Sequence, residues 1–405
     1  FFGMFQLFGK FIFPFAFSKT SSFNTIGSTG SLAVLVAVLL PLLILLIIKV
    51  KKKLLRVFFT ASAVLGTLLL VLINFSIAWW LVIIGSVLTI TLIAQKRDIL
   101  DNRWLILPMF FLAISLLFIF LKPQVPGVPN RPVEVFLNQQ ASSDIAWKSL
   151  KKNPVLGTGP GTFIFDFSKY KNASFNKSRL WNIKFGKAGS EFFNDLTTTG
   201  ILGALSFLSL IGLFIFYGIK ILFIEQRKKK KQSSSKNKEI VANPVKNSAK
   251  NGTEEDIQGF FWILSAGIFI SSLILTVGYF LYSSNLSLNF IYFLLLAGFI
   301  ALAFPKREFL LKPSSLPTLV FTFMFTLFFV FGLGIFILET QRYVAAADYQ
   351  KGMSAWQRNN SVEAIKNMEG ATRINPGVDL YWRQLAQLYI QRVSETARNK
   401  KISKD

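Results

Sequence analysis

A group of polar residues begins one of the long apolar runs in the middle of the chain. Glu191, Asn194 and Asp195 lie at i, i+3 and i+4, ahead of the apolar run 201–224. At that spacing the three side chains share one face of a helix, and a carboxylate held there could act as a base toward an acceptor hydroxyl. The other interpretation is that the acidic residues only complement the positive end of the helix dipole.

A basic and aromatic stretch precedes this group. Between Lys122 and Ala188 the sequence has eleven Lys or Arg residues and three acidic residues. Cations and aromatic rings are interleaved at Lys169, Tyr170, Lys171, Lys177, Arg179, Trp181, Lys184 and Lys187. Ammonium and guanidinium groups stabilise phosphates, and flat rings stack on sugar faces, so the stretch suits a phosphorylated lipid or a sugar polymer. A solvated surface is the alternative.

Three glycines surround a proline in the run Gly157-Thr158-Gly159-Pro160-Gly161. Glycine allows positive φ angles, and a tight turn built on them exposes backbone N–H groups that can hold an anion. The run lacks the Gly-Lys-Ser/Thr ending of a P-loop. It therefore predicts either an anion-binding turn or a plain turn.

The composition excludes several kinds of chemistry. The 405 residues include no histidine and no cysteine, which removes the commonest general base, thiolate metal ligands and disulfides. We expect no metal site and no cofactor. The net charge of +25 would favour nucleic acid in a soluble domain, but here the lysines cluster between apolar runs, where positive charge sets membrane orientation. We therefore expect no nucleic-acid partner.

Long apolar runs predict the architecture that positions these residues. The chain is 52% hydrophobic and 16% charged, with a mean hydropathy of +0.49, and several runs reach the roughly 20 residues that cross a hydrocarbon core. The pattern predicts an all-α, polytopic transmembrane helical bundle in a lipid bilayer. Eight spans are expected, at about 31–49, 55–74, 77–95, 104–121, 198–224, 259–283, 286–304 and 316–338.

Basic turns predict the orientation of these spans. The turn Lys49-Val50-Lys51-Lys52-Lys53 should be cytoplasmic, because positive charge is retained on that side. Alternation then places the residues around Lys96, Arg227 to Lys231 and Lys306 to Lys312 inside. It makes residues 122–197 a long extracytoplasmic loop, which is the candidate active site.

The remaining segments have simpler interpretations. Residues 1–30 are Phe-rich but interrupted by Lys10, Pro14 and Lys19, and we predict an outer-face interfacial stretch or the stub of a lost span. Residues 225–258 are predicted to be a basic, disordered cytoplasmic linker that is attracted to anionic lipid headgroups, with a specific partner as the alternative.

The C-terminal residues 339–405 should be extracytoplasmic, and within them residues 345–378 fit a 34-residue helical repeat. The small-residue and proline positions of a tetratricopeptide (TPR) unit are filled by Gly352, Ala364, Ala371 and Pro376. First-helix positions of a second copy are filled by Trp382, Leu385, Ala386 and Tyr389. We predict TPR-like helices that could bind a protein partner, with a generic helical hairpin as the alternative.

The order of several motifs resembles the O-antigen ligase and polymerase superfamily. These motifs are Trp147, then Asn153-Pro154-x-x-Gly157-x-Gly159-Pro160-Gly161-x-Phe163, then Gly200-Ile201-Leu202-Gly203 at a helix entry. The turn Phe23-Asn24-Thr25-Ile26-Gly27-Ser28 is similar to that family's outer-face entry. TPR repeats follow the last span in some members. The resemblance covers most of residues 20–405.

The resemblance implies a function at the bacterial cytoplasmic (inner) membrane. Members of the family transfer a glycan from an undecaprenyl-pyrophosphate carrier to a glycan or lipid acceptor at the outer face, without a metal and with inversion. The resemblance implies that an acceptor hydroxyl attacks the anomeric carbon while basic residues stabilise the pyrophosphate. One alternative is a catalytically inactive relative that binds glycan lipid and recruits partners. A transporter or flippase is another, which the scarcity of ionisable residues within the spans disfavours.

The chain departs from the family pattern at the catalytic position. Gly189 and Ser190 stand where ligases carry a His-Asn pair, and Ser143 stands where an Arg precedes the loop tryptophan. We therefore predict that Glu191 is the substitute base. The predicted substrate-binding residues are Arg179, Lys184 and Lys187 for pyrophosphate, with Lys169, Trp147, Gly157, Gly159 and Gly161.

Overall fold

The computed structural model describes residues 2–13, 18–97, 100–123, 134–225, 248–304 and 316–402. Thirteen α-helices and no β-strand occur among these residues, which confirms the predicted all-α class. The basic stretches from Arg227 to Lys231 and from Lys306 to Lys312 lie outside the described residues, as do residues 124–133 of the predicted loop.

Among the described residues, eight helical stretches are long and apolar enough to cross a membrane, which confirms the predicted number of spans and indicates a multi-pass membrane protein. They contain α2 (Thr29–Lys49), α3 (Lys53–Ile73), α4 (Ser76–Gln95), α5 (Ile106–Leu121) together with the 3-10 turn Asn102–Leu105 before it, α8 (Glu191–Ile219), α9 (Ser248–Leu281), α10 (Leu286–Ala303) and α11 (Leu316–Gln357). The other helices are α1 (Phe2–Leu7), α6 (Gln139–Lys152), α7 (Phe163–Tyr170), α12 (Ser361–Ile374) and α13 (Asp379–Ile402).

Three helices differ from the predicted bounds. α8 begins at Glu191 instead of 198, because the side chain of Ser190 accepts the backbone N–H of Phe193 and caps the helix. α9 includes residues 248–258, which the sequence placed in the linker. α11 continues to Gln357, since the fall in hydropathy after residue 338 brings no proline that would end a helix.

The chain divides into two compact units after Lys306. In the first unit α2 and α9 are the most buried spans. A glycine on α4 allows close approach to both: a Cβ atom on Gly85 would lie 2.9 Å from Cγ of Pro41 and 2.8 Å from Cδ1 of Ile274. Small residues at such crossings let membrane helices pack closely.

One end of this bundle is fastened by a polar network around Tyr282, which directly follows α9. Its hydroxyl donates to Oε1 of Glu134 at 2.7 Å and lies 2.9 and 3.2 Å from the hydroxyls of Ser28 and Ser31. Oε2 of Glu134 accepts the backbone N–H of Gly30 at 3.2 Å. Burial raises the pKa of Tyr282, so the phenol keeps its proton and donates. The start of α2 is thereby joined to the residues that precede α6.

Basic residues gather at the opposite end of the bundle. Lys49 ends α2 and lies near the backbone of Gly259 on α9, and the ammonium group of Lys96 lies 5.5 Å from the Trp262 ring centroid. The indole N–H of Trp262 donates to the carbonyl of Leu222 at 3.2 Å. The turn after α2, the end of α4, the chain just after α8 and the early part of α9 therefore meet here. Which end faces the cytoplasm stays a prediction.

The second unit contains closely packed antiparallel helices. A Cβ atom on Gly352 of α11 would lie 3.0 Å from Cγ of Met368 on α12 and 3.2 Å from the carbonyl oxygen of Ala364. The side chains of Ala364 and Ala371 are fully buried. The small residues that suggested a TPR unit are thus contact residues, while the TPR assignment itself stays a prediction.

We expect replacement of Tyr282 by Phe to lower the free energy of unfolding by about 1–3 kcal/mol, because the half-buried carboxylate of Glu134 loses a hydrogen-bond donor. Thermal unfolding of the detergent-solubilised protein measures this loss. Tyr217→Phe is the matched control, since within the described residues the Tyr217 hydroxyl makes no hydrogen bond. Equal midpoints for the two variants would contradict the role of the network.

Candidate functional site

Residues 134–190, here called the docked segment, form a folded unit instead of an extended loop. Its helix α6 buries Ser142, Ile145, Ala146, Ser149 and Leu150, which recur with helical spacing on one face. Ring centroids in its aromatic core are 5.3, 5.4 and 6.1 Å apart, among Phe167, Phe175 and Phe185. This core gives the docked segment a defined surface.

The glycine run fastens the docked segment to a break in α8. The break is at Gly200, whose φ of 68° and ψ of −164° are not helical. Ahead of it, the carbonyls of Thr197 and Thr198 accept the N–H groups of Thr158 and Gly159 at 3.1 and 2.8 Å. Beyond it, the N–H groups of Ile201 and Leu202 donate to the carbonyls of Pro154 and Val155 at 2.9 and 3.2 Å. These four backbone hydrogen bonds join residues 154–159 to residues 197–202 of α8, and together they are here called the backbone lock.

The backbone lock requires glycine at its two points of closest approach. Gly157 has a φ of 65°, and a Cβ atom there would lie 2.6 Å from both the nitrogen of Gly200 and the carbonyl oxygen of Thr197. A Cβ atom on Gly200 would likewise overlap the carbonyl of Val155. Left-handed backbone and the lack of space both exclude larger residues.

Asp166 stabilises the turn of the glycine run through hydrogen bonds. Its side chain is buried, and its Oδ2 accepts the hydroxyl of Thr158 at 2.6 Å. Oδ1 of Asp166 accepts the hydroxyl of Ser149 at 3.4 Å, which ties the turn to α6. The N–H groups of Thr158 and Gly159 are already used in the backbone lock, so an anion could take them only by displacing α8. Gly161, with a φ of 77°, is exposed.

Glu191, the predicted base, lies at the first position of α8 and is only 9% exposed. Its Oε2 accepts the backbone N–H of Ser284 at 2.8 Å, and its own N–H donates to the carbonyl of Tyr282 at 3.1 Å. The ammonium group of Lys187 donates to the carbonyl of Ser284 at 2.8 Å. Glu191 and Lys187 therefore both bind the turn between α9 and α10.

Asp195 lies one helical turn after Glu191 and is the more available carboxylate. It is partly buried, and within the described residues its carboxylate accepts no hydrogen bond. Glu191 and Lys187 are close enough to act on it electrostatically. A carboxylate without a donor is free to accept a proton from an incoming hydroxyl group.

The docked segment has an excess of positive charge. It has nine basic residues against three acidic ones, and of these acids Glu134 and Asp166 are held by hydrogen bonds. None of the nine forms an ion pair in the part of the chain that the structure describes. They are Lys148, Lys151, Lys152, Lys169, Lys171, Lys177, Arg179, Lys184 and Lys187.

Two of these lysines come together from different helices. Hydrogen bonding to Lys169 on α7, together with repulsion by its charge, lowers the pKa of Lys152 on α6. The ammonium group of Lys169 also lies 5.1 Å from the Tyr170 ring centroid. Two neighbouring cations beside an aromatic ring form a favourable place for a phosphate group.

The other predicted site residues lie at the surface. Trp147 is 60% exposed on α6, and Arg179 and Lys184 are exposed in the chain that follows α7. Among the described residues, none of these three side chains makes a hydrogen bond or an ion pair. In the structure Gly157 packs against Gly200, and Lys187 and Glu191 both bind Ser284. The substrate contacts of the predicted site residues stay predictions.

Sequence reasoning missed several residues that hold the site. Asp166 is a lone acid within the aromatic run that follows the glycines, and that isolation could have indicated a buried role. Ser284 lies in a polar turn between two apolar spans, whereas the turns after α2 and α4 are basic. No local signal shows that this turn reaches Glu191.

A large apolar groove lies elsewhere on the bundle. Its volume is about 630 Å³, and it is lined by side chains of α8 and α10 that include Leu213, Phe214 and Phe293. The groove begins at Leu210, about five helical turns from Glu191. It is therefore separate from the carboxylates and the docked segment.

No protein-family model matches the chain, and a comparison with curated proteins finds no match.

We expect Gly157→Ala to lower the thermal midpoint more than Gly161→Ala. Both glycines have positive φ, so each substitution costs about 1 kcal/mol in backbone strain, but only Gly157 also meets backbone atoms of α8. The same comparison in limited tryptic digestion should show faster cleavage of the docked segment in Gly157→Ala. Equal midpoints and equal cleavage rates would contradict the backbone lock.

Proposed function

We propose that the protein is a membrane glycosyltransferase of the O-antigen ligase-like type. It transfers or polymerises glycan from an undecaprenyl-pyrophosphate carrier to a glycan or lipid acceptor. The observation that carries the proposal is the position of the docked segment, whose unpaired cations stand at the end of the bundle that holds Glu191 and Asp195. A lipid anchored in the membrane would hold its pyrophosphate group at this end of the bundle, where these cations can bind it.

The carboxylates and the cations have complementary roles in the proposed reaction. The acceptor oxygen forms a bond to the anomeric carbon, and its proton passes to a carboxylate. The bond from that carbon to the pyrophosphate oxygen breaks, and the leaving group keeps the electron pair. Lysine and arginine side chains stabilise its charge. The sequence favours Glu191 as base, while the hydrogen bond from Ser284 to Glu191 favours Asp195.

The proposed location is the outer face of a bacterial inner membrane. The bundle end opposite the docked segment collects Lys49 and Lys96, and positive turns are retained in the cytoplasm. The docked segment then forms the extracytoplasmic loop, and the C-terminal unit is also extracytoplasmic. The close helix contacts at Gly352 and Ala364 support TPR-like helices, which would recruit a protein partner.

The second candidate is a catalytically inactive relative that binds glycan lipid and recruits partners. Two observations favour it. The sequence has no histidine, and the carboxylate of Glu191 is occupied by the Ser284 N–H group. In this case the cations of the docked segment hold the carrier, and no glycan is transferred.

We expect membranes that contain the full chain to consume added undecaprenyl-pyrophosphate-linked oligosaccharide in the presence of acceptor. Asp195→Asn should lower this rate by about 10²–10⁴-fold, because the base is lost while the carrier still binds. Glu191→Gln tests the alternative base and, unlike Asp195→Asn, should also lower the thermal midpoint. Mass spectrometry of the extracted lipids measures the remaining carrier.

Lys184→Ala tests the cations in the same assay. We expect about tenfold weaker retention of the carrier, since a charge-assisted hydrogen bond is lost. Lys220→Ala removes an equal charge at the opposite end of α8 and should leave retention unchanged. If the unmodified protein retains the carrier but does not consume it, the result supports the inactive relative. If the carrier is neither retained nor consumed, both candidate functions are excluded.

A further inference from the structure

A cavity within the docked segment has no part in the reaction proposed above. It lies between α6 and the chain that ends α7, and its volume is about 300 Å³, at the lower end of the range for small-molecule sites. Aromatic side chains of Phe167, Tyr170 and Phe175 line one part. The aromatic core of the docked segment fixes these rings in place.

The polar lining of the cavity is rich in groups that recognise hydroxyls. Amides line it at Asn138, Gln140 and Asn172, a carboxylate at Asp144 and a hydroxyl at Ser174. An amide side chain offers both donors and acceptors, and a carboxylate offers acceptors. A sugar needs this mixture, because each of its hydroxyl groups donates and accepts.

Two of the amides are held in fixed orientations before any ligand binds. Oδ1 of Asn138 accepts the N–H of Ala141 at 2.7 Å, and Oδ1 of Asn172 accepts the N–H of Ser174 at 3.2 Å. Each Nδ2 group is therefore left as a donor. The side chains of Gln140 and Asp144 make no hydrogen bond within the described residues. Groups oriented in advance lose little entropy on binding.

The charge of the lining disfavours the other classes of ligand. Lys171 is its only cation, and its ammonium group lies 5.8 and 5.7 Å from the ring centroids of Phe167 and Phe175. Asp144 repels a phosphate group, and a single carboxylate is too few for a divalent cation. A purely apolar ligand would leave the amides without partners.

We infer that this cavity is a glycan subsite that binds one sugar residue, with its apolar face against the aromatic rings and its hydroxyls on Gln140, Asp144 and the two oriented asparagines. The inference rests on the proposed function for the source of the sugar. It places sugar recognition on the face of α6 and α7, apart from Glu191 and Asp195. Binding of a free sugar requires neither the lipid carrier nor turnover.

The test is saturation-transfer-difference NMR on the full chain in lipid nanodiscs, with the methyl glycosides of glucose, galactose and N-acetylglucosamine as probes. We expect saturation transfer to at least one probe. Gln140→Ala and Asp144→Asn should each weaken that binding about three- to tenfold, because one hydrogen bond is lost. Both residues are exposed, so the fold should be retained, and an unchanged thermal midpoint confirms this.

Asn176→Ala is the matched control, since this amide is exposed in the same part of the chain and does not line the cavity. It should bind the probe as the unmodified protein does. Lack of transfer to every probe would overturn the inference, and so would binding that neither Gln140→Ala nor Asp144→Asn weakens. Sugar binding that depends on Gln140 and Asp144 without carrier turnover would leave the cavity assigned and reject only the transferase.

Discussion

The backbone lock between the glycine run and the break in α8 is the constraint on which the rest of the site depends. A helix that breaks at Gly200 leaves carbonyls and N–H groups without intrahelical partners, and such groups are costly at a membrane. The docked segment satisfies the carbonyls of Thr197 and Thr198 and the N–H groups of Ile201 and Leu202. The broken helix and the docked segment therefore stabilise each other, because each supplies hydrogen-bond partners for backbone groups of the other.

This arrangement explains why a basic segment can stay close to two carboxylates. The lock fixes one side of the segment, and the hydrogen bonds of Glu134 and Lys187 fix its two ends to the bundle. Cations held in this way need not find acidic partners on their own segment. They remain available to an anionic ligand, and one of them, Lys187, is close enough to Asp195 to act on it electrostatically.

The proposed division of roles between Glu191 and Asp195 follows from their positions in α8. Glu191 lies at the first helical position, where its carboxylate reaches the N–H of Ser284 and fastens three helices at once. Asp195 lies one helical turn further along α8. Within the described residues its carboxylate accepts no N–H group from the turn between α9 and α10. Glu191, which stabilises the fold, and Asp195, whose carboxylate can accept a proton, can thus be neighbours on one helix face.

The sequence predicts the spans well because hydropathy over some 20 residues is a local property. It also predicts a turn at the glycine run, because positive φ is a property of glycine itself. The partner of that turn, Gly200, is distant in sequence, and so is Ser284, the partner of Glu191. Contacts of this kind depend on the fold, and neither composition nor spacing reports them. The folded core of the docked segment was missed because its aromatic residues alternate with lysines.

Hydrogen exchange at individual amides tests the backbone lock most directly. We expect the N–H groups of Thr158, Gly159, Ile201 and Leu202 to exchange together and as slowly as amides within α8, because all four bonds open only when the docked segment separates. The exposed amide of Gly186 serves as the fast reference. Slow exchange at all four would establish that the segment is held on the helix break. Exchange of Thr158 and Gly159 at the rate of Gly186 would contradict it.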